Sequence, residues 1–229
     1  LAHYTNGSPV LVTFLHSLTG KLSFCGSVVR AGRTYIRRLW DLSSVLVGKR
    51  RRACSSFSLQ ITAPAAADLR WWATALASHT GVRLWHPLGT EFFSLWRPGT
   101  TLPANAARTQ TDACGFGWGL RCGSEFRRGR WSPAQMRMSI NWKELMTIQI
   151  ACQWNGPYWV DKRVLLETDN TTAAGYANRG YGRIQQLSDI GRRIKQLEAQ
   201  FGFELLVVHL PGALNVIADG LSRFRIATS

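Results

Sequence analysis

The second half of this 229-residue chain switches repeatedly between two periodicities, and that switching leaves few architectures open. "ARTQTDACGFGWGLRCGSEFRRGRW" (107–131) offers three short strands broken by glycines, an antiparallel meander. "SPAQMRMSINWKELMTIQIACQW" then steps its apolar residues by three and four, most clearly over 140–153, and predicts a helix. "KRVLLETD" reads as a short apolar strand ending in an acid. Asn170 is a good N-cap for the short helix of "NTTAAGYANRG". A longer amphipathic helix, "RIQQLSDIGRRIKQLEAQF", precedes the strand "FELLVVHL". The last helix is "NVIADGLSRF", with Asn215 as its natural N-cap and Pro211-Gly212 setting the turn before it. The order β-β-β-α-β-α-α-β-α predicts an α/β domain, a mixed sheet with helices on its faces.

Upstream the pattern differs. Residues 11–47 predict helices punctuated by Gly20, Gly26 and Gly32, and "GKRRRACSSF" predicts a basic loop. Residues 64–79, opening on Pro64, predict another helix. "HPLGTEFFSLWRPGTTLPANA", with its three prolines, reads as a linker that puts the domain boundary near 105. Three segments result: a basic helical 1–60, a connection at 61–104, and the α/β domain at 105–229. Net charge is +15, and residues 1–60 hold nine Lys/Arg against one acid, Asp41. A polyanionic partner, nucleic acid first, is expected, with Lys49, Arg50, Arg51 and Arg52 among its contacts. An apolar fraction of 45% supports a core. No apolar run reaches the length of a membrane span, and the opening residues lack a signal-peptide pattern, so an intracellular protein is expected. The missing initiator Met leads us to expect a fragment or a processed chain. Five cysteines, an odd number without a C-x-x-C pair, disfavour zinc and a disulfide framework. Most of the ten tryptophans flank apolar residues and are expected in cores.

Four acids of the second half stand out: Asp112 before a glycine-rich turn, Glu144 on a helix, Asp169 closing a strand, and Asp219 inside the apolar run "NVIADGL". Each alone has a plain reading. Asp112 could open a turn, Asp169-Asn170 could cap a helix, Glu144 could pair with Lys143 or Arg137, and Asp219 could face water. The remaining six, Glu125, Asp161, Glu167, Asp189, Glu198 and Glu204, sit among polar or basic residues and read as solvated. Taken together, acids ending two adjacent strands and acids from flanking helices can converge at one sheet edge. Like charges held that close need compensation. Oxygen-rich sites suit Mg²⁺ or Mn²⁺, and two such ions about 4 Å apart are an apparatus for cutting phosphodiesters.

"TDACGFGWG", "NWKEL", "TDNTTAAGY" and "HLPGALNVIADGLSR" occur in the order and spacing of a ribonuclease H domain, and over 105–225 the chain resembles the ribonuclease H of retroelement reverse transcriptases. The ending "PG-x-x-N-x-x-AD-x-LSR" is similar to the gypsy-like and DIRS-like groups. "LTGKLSFCGSVVRAGRTYIRRLWDL" resembles their thumb and "ADLRWW" their connection. No Y-x-D-D-type pair is present, so the chain carries no polymerase palm and cannot be a complete polymerase.

The resemblance implies a five-stranded mixed sheet and cleavage of the RNA strand of RNA–DNA hybrids with two Mg²⁺ ions, or Mn²⁺. Asp112 would bridge both metals, Glu144 and Asp169 would hold the metal at the leaving 3′ oxygen, and Asp219 the metal that activates water. His209 would stand for the histidine that aids product release, or else be a sheet residue. Cys114, Gly115 and Phe116 would approach the RNA backbone, joined by Asn170 and Thr171, with selectivity from 2′-hydroxyls. Arg179, Arg183, Arg192, Arg193 and Lys195 are candidates for phosphates of the DNA strand, or a solvated helix face. The expected partners are an RNA–DNA hybrid or structured RNA, and a palm-bearing polymerase chain or a ribonucleoprotein. The competing reading is a catalytically retired domain that binds RNA as a structural protein. Against it, a scaffold has no need of four mutually repelling acids. An integrase-like nuclease fits less well, because integrases lack the helix-borne second acid followed by the "TDN" strand end, and the "AD-x-LSR" ending.

Overall fold

In the computed structural model, the described residues are 4–29, 31–44, 57–78 and 106–226, with Leu1 and Leu102. They fall into two compact units, Leu1–Pro87 and Leu88–Ser229.

In the first unit, β1 (Pro9–Leu11) pairs antiparallel with β2 (Ser58–Gln60), beside α1 (Val12–Cys25), α2 (Arg37–Ser44) and α3 (Ala63–Ala77). Thr62 caps α3 by accepting from the Ala65 N–H, with Pro64 in the first turn, the arrangement that suits a helix start. Leu15, Leu39, Ile61, Leu69 and Trp72 are fully buried here. The basic run Lys49–Arg52 lies outside the described residues.

The second unit is the mixed five-stranded sheet that was expected, flanked by helices. Its strands are β3 (Ala106–Ala113), β4 (Gly117–Cys122), β5 (Glu125–Arg130), β6 (Arg163–Thr168) and β7 (Glu204–His209), in spatial order β5-β4-β3-β6-β7. β3, β4 and β5 form the meander, while β6 runs parallel to both β3 and β7. The chain therefore leaves β3 toward one edge and returns to β6 on the other side. That reversal opens a crevice at the carboxyl ends of two neighbouring parallel strands, the usual place for a site in open α/β sheets.

Helix α5 (Ile140–Asn155) is preceded by the one-turn helix α4 (Pro133–Met136). The single helix expected over this stretch breaks because Ser139 caps α5 by accepting from the Trp142 N–H, while Ser132 and Gln135 close a capping box on α4. Helices α6 (Thr171–Arg179) and α7 (Gln185–Phe201) follow, each ended by a left-handed glycine, Gly180 and Gly202. In α7, Leu187, Ile190, Ile194 and Leu197 are buried at three- and four-residue steps. They pack with Leu145 and Ile148 of α5 against Val164, Leu166, Leu205 and Val207 of the sheet.

The last helix, α8 (Val216–Ser222), takes the opposite face. Gly119 permits it: a Cβ there would lie 2.6 Å from the Ala218 carbonyl oxygen and the Leu221 Cβ. Asn215 precedes α8 but makes no side-chain cap; its amide donates instead to the Thr111 carbonyl at 3.0 Å and ties the helix to β3. Trp72, Trp118, Trp131 and Trp159 are buried, as expected, whereas Trp154 is 44% exposed. Cys25, Cys114, Cys122 and Cys152 are free thiols. No helix among the described residues is long and apolar enough to cross a membrane.

Candidate metal centre

Strand register carries Asp112 to the carboxyl end of β3 and leaves Asp169 one residue beyond β6. From the helix on the other face, Glu144 reaches the gap between these ends. Its Oε1 accepts from the Ala113 N–H at 3.0 Å and its Oε2 from the Thr168 hydroxyl at 3.3 Å. Each of Asp112, Glu144 and Asp169 then presents a carboxylate oxygen, and these three atoms all lie within 4.8 Å of one another. Asp112 and Glu144 are buried, at 4% and 2% exposure, and Asp169 faces solvent. Of the two cations that could have paired with Glu144, Lys143 turns its ammonium to the Met136 carbonyl at 2.8 Å, and the carboxyl takes the Ala113 N–H and the Thr168 hydroxyl rather than Arg137.

Burial is the main influence on both inner acids. It raises the Asp112 carboxyl to about 6; the Ser222 hydroxyl, donating at 2.5 Å, pulls back, while the charges of Asp169 and Asp219 push further up. Glu144 is raised to about 8, first by burial and then by the Asp112 charge, with the Ala113 N–H opposing. Among the described residues no Lys or Arg is hydrogen-bonded to Asp112, Glu144 or Asp169. Such a set of hard oxygens, short of positive charge and partly open to water, fits Mg²⁺ or Mn²⁺.

The fourth acid behaves differently. Asp219 sits half-buried on α8, and its carboxylate accepts from the Arg223 guanidinium at 2.6 Å. This hydrogen bond raises the already high pKa of Arg223. Asp219 is near enough for its charge to act on Asp112, but it is not one of the three that converge. Ser222 and Arg223 are functional neighbours that the sequence motifs do not single out. Their spacing of three and four residues from Asp219 on a helix was the available signal.

His209 is exposed at the end of β7, level with Thr168, so it flanks the same sheet edge as Asp169. In the hairpin after Asp112, Gly115 and Phe116 are exposed, but Cys114 is buried with its thiol donating to the Ser222 carbonyl at 3.2 Å. Asn170 caps α6 through the Ala173 N–H at 2.8 Å and donates to Asn141 at 2.9 Å, leaving Thr171 exposed beside it. Arg179 and Arg183 are exposed around the end of α6. On α7, Arg192 is partly buried, Arg193 contacts Gln196 at 3.4 Å, and Lys195 pairs with Glu198 at 2.7 Å.

Two acids taken for solvated ones are not. Glu167 is fully buried, and Glu198 also accepts from the Leu205 N–H at 3.0 Å, tying α7 to β7.

No protein-family model and no curated protein matches the chain. Among solved structures it is similar to the ribonuclease H1 of Halobacterium salinarum, with 18% identity and a TM-score of 0.42, covering 53% of this chain and 99% of that one. A ribonuclease H1 in complex with an RNA/DNA hybrid shares 17% identity at a TM-score of 0.40, covering 51% of this chain and 91% of that one. A foamy viral protease-reverse transcriptase in complex with double-stranded DNA shares 10% identity at a TM-score of 0.36, covering 90% of this chain and 35% of that one.

Proposed function

We propose that this chain is a metal-dependent endonuclease that hydrolyses the RNA strand of RNA–DNA hybrids, a thumb–connection–ribonuclease H portion of a retroelement reverse transcriptase without its palm. The observation that carries this reading is the convergence of Asp112, Glu144 and Asp169, their oxygens within 4.8 Å, at the open end of the β3–β6 seam. The motifs that resemble retroelement ribonucleases H are those that deliver these acids.

In this reading Asp112, Glu144 and Asp169 hold one or two divalent ions, which when bound supply Lewis-acid stabilisation of the phosphate and a water of lowered pKa. The protein's own part is preparation. Ala113 and Thr168 fix the Glu144 carboxyl, and Ser222 fixes that of Asp112, so neither acid needs to reorganise. Asp219, whose carboxylate is held by Arg223, would be the residue to serve as a further ligand. Exposed Phe116, Thr171 and His209 rim the opening, where a strand of nucleic acid can be laid against the acids.

The test is cleavage of an end-labelled RNA–DNA hybrid in Mg²⁺ and then in Mn²⁺, beside the Asp112→Asn protein. Cutting confined to the RNA strand and lost in the variant is expected. The +15 charge favours a second reading, an RNA-binding structural protein in a ribonucleoprotein. No cutting in either metal, with equally tight and salt-sensitive RNA binding by both proteins, would decide for that alternative.

A further inference from the structure

Beside the acids, on the α8 face of the sheet, lies a cluster of arginines and rings of which the proposed function uses only Phe116. Phe224 stands in the left-handed region, at φ 59, a conformation that a bulky residue keeps only when its surroundings enforce it. Held so, its ring meets Phe116 at a centroid distance of 6.2 Å. The Arg128 and Arg130 guanidiniums lie over the same ring, at 4.8 and 4.6 Å from its centroid. Gly117 leaves room for it, since a Cβ there would come within 2.6 Å of the Phe224 ring.

The charges are uncompensated. Arg128 donates to the Ile226 carbonyl at 2.8 Å, and among the described residues Arg128, Arg130 and Arg225 pair with no carboxylate. Phe116 is 42% exposed, and Arg130 and Arg225 are exposed. β5 is the edge strand, so nothing in the sheet covers the cluster from outside. Guanidiniums for phosphates beside an open ring for a base are the elements of a single-strand platform. The cluster also joins the acid site twice. Phe116 lies in the hairpin that follows Asp112, and Phe224 follows Arg223, the partner of Asp219.

We propose that Arg128, Arg130, Phe116 and Phe224 form a docking platform for an unpaired extension of the RNA strand being cut, beyond the end of its hybrid with DNA. The inference rests on the nuclease reading, because the strand laid across Asp112 is the one that continues over the hairpin to Phe116. Bases of the extension stack on Phe116, and its phosphates meet Arg128, Arg130 and Arg225.

The 229-residue chain, carrying Asp112→Asn so that nothing is cut, is titrated by fluorescence anisotropy in Mg²⁺ with four hybrids. One is blunt, one has an RNA extension of about ten nucleotides on its 3′ end, one the same on its 5′ end, and one a DNA extension of that length. The platform requires one RNA extension to tighten binding about tenfold over the blunt hybrid. Arg130→Gln and, independently, Phe116→Ala must each remove most of that gain. Both positions are exposed, and a melting curve of each variant verifies its fold. Equal affinity for blunt and RNA-extended hybrids overturns the platform while leaving the nuclease reading intact. An equal gain from the DNA extension overturns the assignment to the cut strand. Failure to bind any hybrid removes the nuclease reading and this proposal with it.

Discussion

Two groups of buried acid stand a few residues apart on the β3–β6 seam, and the fold treats them in opposite ways. Glu167, opposite Gln110 in the register, is fully buried and fully answered. Arg108 donates to its two oxygens at 2.7 and 3.0 Å in a bidentate fork, and Gln110 adds a third bond at 3.0 Å. At the end of the same seam, Asp112 and Glu144 receive only neutral donors: a serine hydroxyl, a threonine hydroxyl and a backbone N–H. A carboxylate that serves the fold brings its counter-ion with it. Acids kept buried together without one cost stability, and a divalent ion from outside removes that cost.

Substitution at the two places separates these roles most sharply. Asp112→Asn and Glu144→Gln are each expected to lower hybrid cleavage by about a thousandfold or more, the scale of a lost metal ligand. Above about pH 8, where both carboxyls are charged, neither should lower the melting temperature of the metal-free protein, since each then removes a repelling charge. Glu167→Gln should do the reverse: unfolding free energy falls by about 1–2 kcal/mol, limited because Arg108 is 38% exposed, and cleavage per folded molecule persists. A Glu167→Gln protein that folds as well as the parent but cannot cut would erase the distinction.

The same contrast has a pH signature. Glu144 carries a carboxyl raised to about 8 and Asp112 one raised to about 6, both mainly by burial. A carboxyl whose pKa is higher folded than unfolded keeps its proton longer in the native state, so stability falls as pH rises between the two values. Without divalent metal, melting temperature should therefore decline from about pH 5 to pH 8, by the equivalent of a few kcal/mol at most. Mg²⁺ should recover most of the loss, and Glu144→Gln should flatten most of the decline. A metal-free profile that rises over this range would show that the inner acids are balanced by charge after all.

What could be read from the chain follows the range of each interaction. The three strands of the meander, the capping Asn170 and the four prominent acids are written in local spacing; Asp112, Glu144 and Asp169 come together, while Asp219 pairs with Arg223. Glu167 was misread because its counter-ion is 59 residues away on β3, adjacent only once the parallel register is set. Asn215 looked like a helix cap because nothing local shows that β3 offers its amide a carbonyl. The partner of Asp219 was nearer to hand: Arg223, one helical turn on, supplies the cation.

Smaller effects grade the support around the inner acids. Ser222→Ala removes the hydroxyl that donates to Asp112 and leaves this acid free to rotate. Titration with Mg²⁺, followed through the rise in melting temperature, is expected to give about tenfold weaker binding, the usual cost of losing a ligand's supporting bond. The Ser222 hydroxyl also lies 3.0 Å from the Asp219 carbonyl, with one proton to share between the two acceptors, and Ser222→Thr, which keeps the hydroxyl, should restore much of the affinity. Equal loss in both variants would mean that packing, not the hydroxyl, is what Asp112 requires.

The smallest effect concerns a third kind of buried polar group, answered neither by a partner nor by a role. The Thr111 hydroxyl, next to Asp112 on β3, is fully buried and has no hydrogen-bond partner among the described residues. Its side chain points to the other face of the sheet from Asp112, toward the α5 layer, so it does not belong to the set of acids. A buried hydroxyl without a partner loses its hydration for nothing, and valine fills the same volume without that loss. Thr111→Val should therefore raise unfolding free energy, by up to about 1 kcal/mol in a denaturant titration, with the Asn215 bond kept because it uses the Thr111 backbone carbonyl. A stabilised variant that still cuts confines the functional demand on β3 to the face that carries Asp112. One that is stabilised but loses cleavage extends that demand through the strand, and the contrast drawn at Glu167 would then have to include both faces of the sheet.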